Sequence, residues 1–398
     1  MNTAHKTDQE KKEYFDKADV LDQKIGQLAD WIKQSKHFVV FTGAGISTSA
    51  GIRDFRSGVN TVLPTGPGAW EKFATKTTAK PKLSTNMASA IPTPCHMALV
   101  KLQQAGYLKF LISQNVDGLH RKSGFPAKKL AELHGNTNLE VCKEGSCKKQ
   151  YLRDFRVRSA QKVHDHETSR KCESCGKPLY DSIINFGESL PEKELDDGFK
   201  ESAKADLCLV LGSSLRVTPA ADMPKETVKK GGKLVIVNLQ ETPLDSMAFR
   251  VNGLIDDVIF RLMEKLNLPI PAFKLPRHVS VMKTEKEGKK GFKIRGVDEE
   301  GSPYSLFRGT VVAFENKEKL PVEKEPFWIC PSNQVDLDKG VMTVNLLFQG
   351  HYGEPPHEIQ VALESLTLNE PAYYFMEFDP SNRSWSKAEK IIISTQKL

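Results

Sequence analysis

The sequence has no apolar run approaching the roughly 18 residues that cross a bilayer. Its opening stretch, MNTAHKTDQEKKEYFDKADV, lacks the hydrophobic segment of a secretory leader and carries too many acids for an organelle transit peptide. Membrane-spanning and secreted classes are therefore set aside, and the expectation is a soluble chain of the cytosol or nucleus with no membrane partner. Internal repeats and low-complexity tracts are also missing, which excludes solenoids and fibrous arrays. Cysteine is scarce, with seven in 398 residues, and a reducing compartment argues against a disulfide framework. Four of the seven fall in two close pairs, so they read as metal or packing residues.

What is present is enough for two or three domains, since 398 residues with 39% hydrophobic and 27% charged side chains can bury a sizeable core. The net charge of +7 is uneven: Lys and Arg exceed Asp and Glu by nine before Leu275 and fall two short from there on. A basic first part suits acidic partners such as nucleic acid or a dinucleotide, and equally suits a solvated lysine surface.

Val20, Leu21, Ile25, Leu28, Trp31 and Ile32 recur at helical spacing before the apolar run 37–41. Runs at 108–112, 207–211 and 233–237 likewise follow segments of helical character. Short apolar strands alternating with helices indicate an α/β fold, a Rossmann-like doubly wound parallel sheet. Three prolines between Asn267 and Pro276 mark a linker. Beyond it, Thr310, Val312 and Phe314, then Met342, Val344, Leu346 and Phe348, alternate with polar positions, as do stretches near 372–378 and 391–396. That pattern predicts an antiparallel β-sandwich or barrel of about seven strands. The expected layout is an N-terminal helical segment at 1–34, an α/β domain at 35–270 with a zinc module inserted at 136–180, a linker at 271–278 and a β-rich domain at 279–398.

Thr42-Gly-Ala-Gly-Ile-Ser47 follows a strand and should open a helix, where backbone N–H groups can surround a phosphate. The third glycine of the usual fingerprint is missing, since Thr48 stands there. Gln114, Asn115 and Asp117 stand just past the strand ending at Ile112, and the strand ends of such a sheet face its ligand crevice. His134 precedes Gly135, and an imidazole there is either a general base or a structural residue. Cys142-x4-Cys147 and Cys172-x2-Cys175 supply four thiolates from two knuckles, a closed tetrahedral set for one structural Zn²⁺. His164 and His166, between the pairs, are less favoured ligands. From 142 to 177 there are 10 Lys and Arg against 5 acids, a basic surface suited to nucleic acid or a nucleosome, or simply to solvent.

In this order, Thr42–Thr48, Gly51-Ile-Arg-Asp-Phe-Arg56, Gln114-Asn-Val-Asp-Gly-Leu-His120, Leu133-His-Gly135, the four cysteines, Asn185-Phe-Gly-Glu188, Gly212-Ser-Ser-Leu215 and Val237-Asn238 resemble the sirtuins over about residues 35–265. Pro92–Leu99, His120–Pro126 and Tyr151–Phe155 look most like the class IV subgroup, many of whose members are nuclear and chromatin-associated. The resemblance implies an NAD-dependent protein-lysine deacylase that releases nicotinamide, free lysine and O-acyl-ADP-ribose. It places NAD against Gly43, Ala44, Gly45, Ser47, Asp54, Phe55, Arg56, Gln114, Asn115, Asp117, Gly212, Ser213, Ser214, Asn238 and Leu239. Asn115 and Asp117 then line the nicotinamide pocket and His134 serves as base, while an acyl-lysine peptide enters as an extended strand between Asn185–Glu188 and Val217.

Arg53 departs from the family's usual proline, the Gly- and Pro-rich connection after Arg56 is long enough for a lid, and the x4 knuckle is wider than the common x2. Histone tails and long-chain acyl groups are the substrates a class IV likeness implies, with nuclear residence. Two other readings stay open: mono-ADP-ribosyl transfer, and a chromatin-binding module with weak catalysis. Nothing in the sequence fixes an oligomeric state.

Overall fold

A computed structural model describes residues 7–78, 80–159, 162–315, 318–332 and 335–393. The chain divides into two compact units, Met1–Asn136 with Ile183–Phe273, and Thr137–Ser182 with Lys274–Leu398. The cysteine-bearing segment interrupts the α/β chain in sequence yet groups with the C-terminal residues.

The first unit is built on six parallel strands: β1 (Phe38–Thr42), β2 (Leu108–Ser113), β3 (Leu130–Glu132), β4 (Leu207–Leu211), β5 (Lys233–Val237) and β6 (Phe249–Val251). Their spatial order is β6-β5-β4-β1-β2-β3, the doubly wound order that reverses between β1 and β4. β1 and β4 are buried at every position, as apolar runs covered on both faces must be. Phe38 and Val40 pack with Ile25, Leu28, Leu99 and Ile259, on the side of helices Ala18–Gln34, Pro94–Gln104 and Ile255–Lys265. Val39 and Phe41 point the other way, into a cluster with Met223 that Leu195 and Phe199 border. No helix among the described residues is long and apolar enough to cross a membrane.

Two buried histidines sit at the N-terminal ends of short helices. His96 accepts at Nδ1 from the Thr93 amide, 3.2 Å away, within the capping box that starts helix Pro94–Gln104. His120 Nε2 meets Thr42 Oγ1 at 2.9 Å. The rings lie 4.8 Å apart, and His96 Nε2 and His120 Nδ1 have no hydrogen-bond partner among the described residues. Burial pushes both down to about 3; for His120 the neighbouring His96 lowers it further and Asp117 pulls the other way. Both therefore stay neutral in the fold.

In the second unit, strands Leu139–Cys142, Gln150–Arg153, Glu167–Lys171 and Pro178–Asp181 form an antiparallel ribbon, and Tyr304–Ser305 completes the sheet by pairing in parallel with Leu152 and Arg153. Two antiparallel sheets follow. One orders Phe327–Ile329, Lys289–Val297, Leu275–Lys286, Pro371–Asp379 and Ser384–Trp385, with Glu389–Ile391 also on Pro371–Asp379; the other orders Lys319–Val322, Phe307–Phe314, Val341–Phe348 and His357–Ala362. Val279, Val281, Phe292 and Ile294 from the first meet Val312, Met342, Val344 and Leu346 from the second, so the pair is a sandwich. There are more strands than the alternation predicts, because several are only two to four residues long. The first strand begins at Leu275, inside the segment read as linker. Pro276 pairs only with Glu377 there, and the ladder to the other neighbour starts at His278, so no donor is missed. Of the stretch 391–396, residues 394–396 lie outside the described residues.

Buried charge ties the ribbon to the sandwich. Arg277, 2% exposed, donates through Nε to Glu354 Oε1 at 3.0 Å and lies 3.6 Å from Asp154 Oδ2. Burial opposes its charge, but Asp154 and Glu354 hold it protonated. Arg153 bridges Glu140 and Ser305, each at 2.7 Å.

Arg277→Met leaves Asp154 and Glu354 as uncompensated buried carboxylates, and chemical denaturation should show a loss of about 3–5 kcal/mol. The histidine pair sets a pH dependence: the unfolded state takes up protons near pH 6.5 while the folded state resists them to about 3, so stability is full above that window and falls as pH drops through it. Each ring contributes up to about 1.4 kcal/mol per pH unit, and a His96→Gln variant should flatten the fall in a pH series of thermal midpoints.

Candidate active site and metal centre

The loops leaving β1 and β4 meet backbone to backbone at the point where the sheet order reverses. A Cβ on Gly45 would lie 2.7 Å from Gly212 Cα, and one on Gly43 would lie 2.7 Å from Ser213 Cα. Gly212 itself has φ +61 and would strike Ile255 at 2.7 Å. The Gly43 and Gly45 amides donate to the carbonyls of Leu211 and Gly212 at 2.9 and 3.0 Å. Those two N–H groups fasten the loops together and do not face a phosphate. The segment that follows, Ala44–Ala50, is a 3₁₀ helix closed by left-handed Gly51. The glycines thus leave a crevice lined by main chain, the setting a dinucleotide needs at a switch point.

The loop leaving β2 is fixed against the same backbone. Asn115 Nδ2 donates to the Gly43 carbonyl at 3.0 Å, and the Gln114 amide donates to the Thr42 carbonyl at 3.0 Å. Ser47 Oγ donates to Asp117 Oδ2 at 2.7 Å, and Asp117 Oδ1 accepts from the Leu119 amide at 2.9 Å, both side chains being buried. Gln114 Oε1 accepts from Ser213 Oγ at 2.7 Å. One polar chain therefore runs from β2's loop to β4's.

His134 follows β3. Its Nδ1 lies 2.9 Å from the Gln114 carbonyl. A carbonyl only accepts, so Nδ1 carries the proton and Nε2 keeps the lone pair. Burial lowers the imidazole's pKa, with the Gln114 carbonyl pulling the other way, which keeps the ring in its basic neutral form. Glu132, two residues earlier, is pushed up to about 7 by desolvation and holds Asn136 Nδ2 at 2.9 Å. Ile184 donates its amide to the His134 carbonyl at 3.0 Å, bringing the 185–188 segment beside the imidazole.

Arg56 reaches Ser214 Oγ at 3.0 Å and stacks over Trp70 at 4.3 Å. Burial and the Arg216 charge lower it to about 10, so it remains a cation at neutral pH. Phe55, Trp70 and Phe186 form a row with ring centres 4.7 and 5.7 Å apart, and Phe55 and Phe186 are exposed. Asp54 is turned inward onto the amide and hydroxyl of Ser57, so it shapes the loop and presents no oxygen to the crevice through those bonds. Asn238 Nδ2 donates to the Gln240 carbonyl at 2.8 Å and Leu239 accepts the Tyr14 amide at 2.9 Å, beyond the end of β5. Asn185 to Glu188 closes on itself, with Asn185's amide on Glu188 Oε2 at 2.7 Å and Gly187 left-handed. The segment is therefore a turn, with the Glu188 carboxylate accepting from the Asn185 amide.

In the second unit the four cysteine Sγ atoms all lie within 4.8 Å of one another. Cys142 and Cys175 are 3.5 Å apart and Cys147 and Cys172 3.6 Å. Zn–S bonds of about 2.3 Å in a tetrahedron set sulfurs roughly 3.8 Å apart, so the donor set fits one Zn²⁺ with no open position. Tyr151 Oη stands 3.2 Å from Cys172 Sγ. His166 is engaged with Asp181 at 3.0 Å, away from the sulfurs' set, and the two short knuckles alone complete it.

The residues read from the sequence as a nucleotide and catalytic site thus converge in one unit, from Gly43, Ala44, Gly45 and Ser47 through Gln114, Asn115, Asp117 and His134 to Gly212, Ser213 and Ser214. Trp70 and Glu132 carried no sequence signal. Trp70 matters through a cation contact across a loop, and Glu132 through burial that only the fold supplies.

The Sir2 family model matches residues 43–219. The NAD-dependent protein deacetylase SRT1 of Arabidopsis thaliana is 49% identical over 265 residues, covering 66% of this chain and 53% of that protein. SRT1 of Oryza sativa subsp. indica is 42% identical over 327 residues, 79% of this chain and 64% of that protein, so the chain spans half to two thirds of these relatives. A solved complex described as Sir2 with a p53 peptide and NAD+ is 35% identical, with a TM-score of 0.45, covering 60% of this chain and 97% of that one. The NAD-dependent protein deacetylase Sirt6 of Drosophila melanogaster is 39% identical over 268 residues, 66% of this chain and 81% of that protein. A relative matched this closely over so much of its length, together with the family match across the site, makes the chain a member of the Sir2 family.

Proposed function

We propose that the protein is an NAD-dependent protein-lysine deacylase. The observation that carries the reading is the His134 tautomer: with Nδ1 committed to the Gln114 carbonyl, Nε2 is a base beside the crevice. When bound, NAD supplies an electrophilic ribose carbon that the acyl oxygen of the lysine can attack. The chain's own residues then do five things. Gly43, Gly45 and Gly212 keep side chains out of the crevice, and Arg56 supplies the positive charge that diphosphate needs. Asn115 and Asp117, held by Gly43 and Ser47, line the nicotinamide end. Ser213 fixes the Gln114 carboxamide beside the adjoining ribose. His134 Nε2 takes the proton of a ribose hydroxyl so that its oxygen can accept the acyl group.

A free base at His134 favours deacylation over mono-ADP-ribosyl transfer, which needs no ribose hydroxyl activated. The exposed aromatic row Phe55, Trp70 and Phe186 favours acyl chains longer than acetyl, since each ring adds apolar area to an entering chain. Zinc, enclosed by four sulfurs, holds the ribbon and takes no part in bond making. Histone tails and nuclear residence extend the proposal, supported by the ribbon's exposed Lys143, Lys148, Lys149, Lys162, Lys171 and Lys177.

Mass spectrometry of acetyl- and myristoyl-lysine histone peptides, with and without NAD, tests the activity: NAD-dependent acyl loss with matching O-acyl-ADP-ribose is expected, and intact NAD with intact peptide would sink it. His134→Tyr should lower the rate by about 10²–10⁴-fold with zinc content unchanged. Because His134 is lowered, the acid limb of the pH–rate profile should lie below the roughly 6.5 of a free imidazole. A gel shift with duplex DNA that weakens steeply with salt is expected of the lysine face, and no shift at low salt would remove the nucleic-acid contact.

A further inference from the structure

The segment before helix Ala18–Gln34 is laid across the lid-forming loop and the loop after β5. It is anchored at one end where the Asp16 amide donates to the Asn252 carbonyl at 2.9 Å and the Asp16 carboxylate takes the Asn252 amide at 2.8 Å. The Tyr14 amide donates to the Leu239 carbonyl at 2.9 Å, on the residue next to Asn238. From there Glu13 turns to the lid: Oε1 accepts from Thr61 Oγ1 at 2.5 Å and Oε2 from the Val62 amide at 3.0 Å. Lys11 places its ammonium 2.8 Å from Glu71 Oε1, and Glu71 is 2% exposed. A carboxylate so buried needs a cation, and this one comes from the N-terminal segment. Gln240 Nε2 lies 3.3 Å from the Lys11 carbonyl and 3.5 Å from the Arg56 carbonyl, so one amide spans both. Glu10 adds an ion pair to Arg216 at 3.1 Å.

These contacts enclose the stretch from Arg56 to Glu71, which carries Arg56 and Trp70. Within it the loop is closed by Gly68's amide on the Ser57 carbonyl at 2.8 Å and Trp70's on Phe55 at 3.0 Å, so its base is stitched while its tip, around Thr61 and Val62, is held by Glu13. The tip has little apolar anchorage, since Val59 and Val62 are exposed. A loop held mainly by a few polar contacts opens locally at low cost.

We infer that Glu13 and Lys11 are positioning residues for the dinucleotide, acting through the Arg56–Glu71 loop; this rests on the NAD site proposed above. The strap sets the population of the closed loop. Weakening it lowers the fraction of protein ready to hold the diphosphate and leaves the base His134 untouched, so the effect falls on NAD affinity.

The test compares Glu13→Ala, its partial rescue Glu13→Gln, which keeps an acceptor oxygen, and the pair Lys11→Met and Lys11→Arg in the full chain. Glu13→Ala and Lys11→Met should raise the KM for NAD by about fivefold to twentyfold, with kcat and the peptide KM within about twofold. The Gln and Arg variants should recover most of the loss, and amide exchange at Thr61–Leu63 should quicken in Glu13→Ala without NAD. An unchanged KM for NAD in an active enzyme overturns the inference, as does a matching fall in kcat and thermal midpoint, which marks general damage. If the wild-type chain leaves NAD intact, the deacylase reading fails and exchange decides alone: faster exchange at Thr61–Leu63 upholds the strap, and unchanged exchange removes it.

Discussion

No side chain fits where the loops after β1 and β4 touch, and much of the first unit follows from that exclusion. The contact of Gly43 and Gly45 with Gly212 lets two main chains bond directly, and Asn115 then adds a third loop by bonding the Gly43 carbonyl. Ser47 and Ser213 extend the same set to Asp117 and Gln114, and Gln114's carbonyl in turn selects the tautomer of His134. The basicity of one nitrogen is thus traceable, bond by bond, to a place where only hydrogen fits on the α-carbon. Preorganisation of this kind costs nothing when substrate arrives, because the polar groups are already oriented.

The second unit solves a different problem. Four thiolates brought close in a lysine-rich ribbon form a set that fits one metal ion, and a ribbon of short strands offers little core, with Tyr151 and Leu179 buried together with two of the cysteines. The sandwich supplies what the ribbon lacks. Tyr304–Ser305 covers the open edge at Gln150–Arg153, and Arg277 neutralises Asp154 at that strand's end. Glu173, beside Cys172, is held by Arg295 at 2.8 Å, so the metal knuckle and the sandwich share an ion pair. The glutamate is partly exposed, and its worth lies in orientation more than energy.

Legibility followed sequence distance. β1, β2, β4 and β5 are apolar runs and could be read directly, as could the cysteine knuckles and the loops that carry Gly43, Asn115 and His134. β3 and β6 have three residues each, too few for periodicity to register, and Tyr304–Ser305 has two. The sandwich strands with clean alternation, such as Val341–Phe348, were visible, whereas Lys319–Val322 contains a proline and Phe327–Ile329 is continuous and short. Nothing near Glu13 announces a bond to Val62, and nothing near Arg277 announces a carboxylate at 354. Such pairings arise from tertiary closure, and a local pattern cannot encode them. At Asn185–Glu188, too, only the structure reveals that Glu188 occupies the Asn185 amide and that Gly187 is left-handed.

The parallel pairing of Tyr304–Ser305 with Gln150–Arg153 has a consequence for synthesis. A ribosome releases the ribbon roughly 150 residues before its covering strand emerges, which at about 5–20 residues per second leaves the ribbon's edge unpaired for many seconds. Throughout that interval the nascent chain carries an open β edge with Arg153 and Asp154 lacking Ser305 and Arg277, a template for other chains. Early capture of metal by the four thiolates is then a local means of holding the ribbon until its partner leaves the exit tunnel.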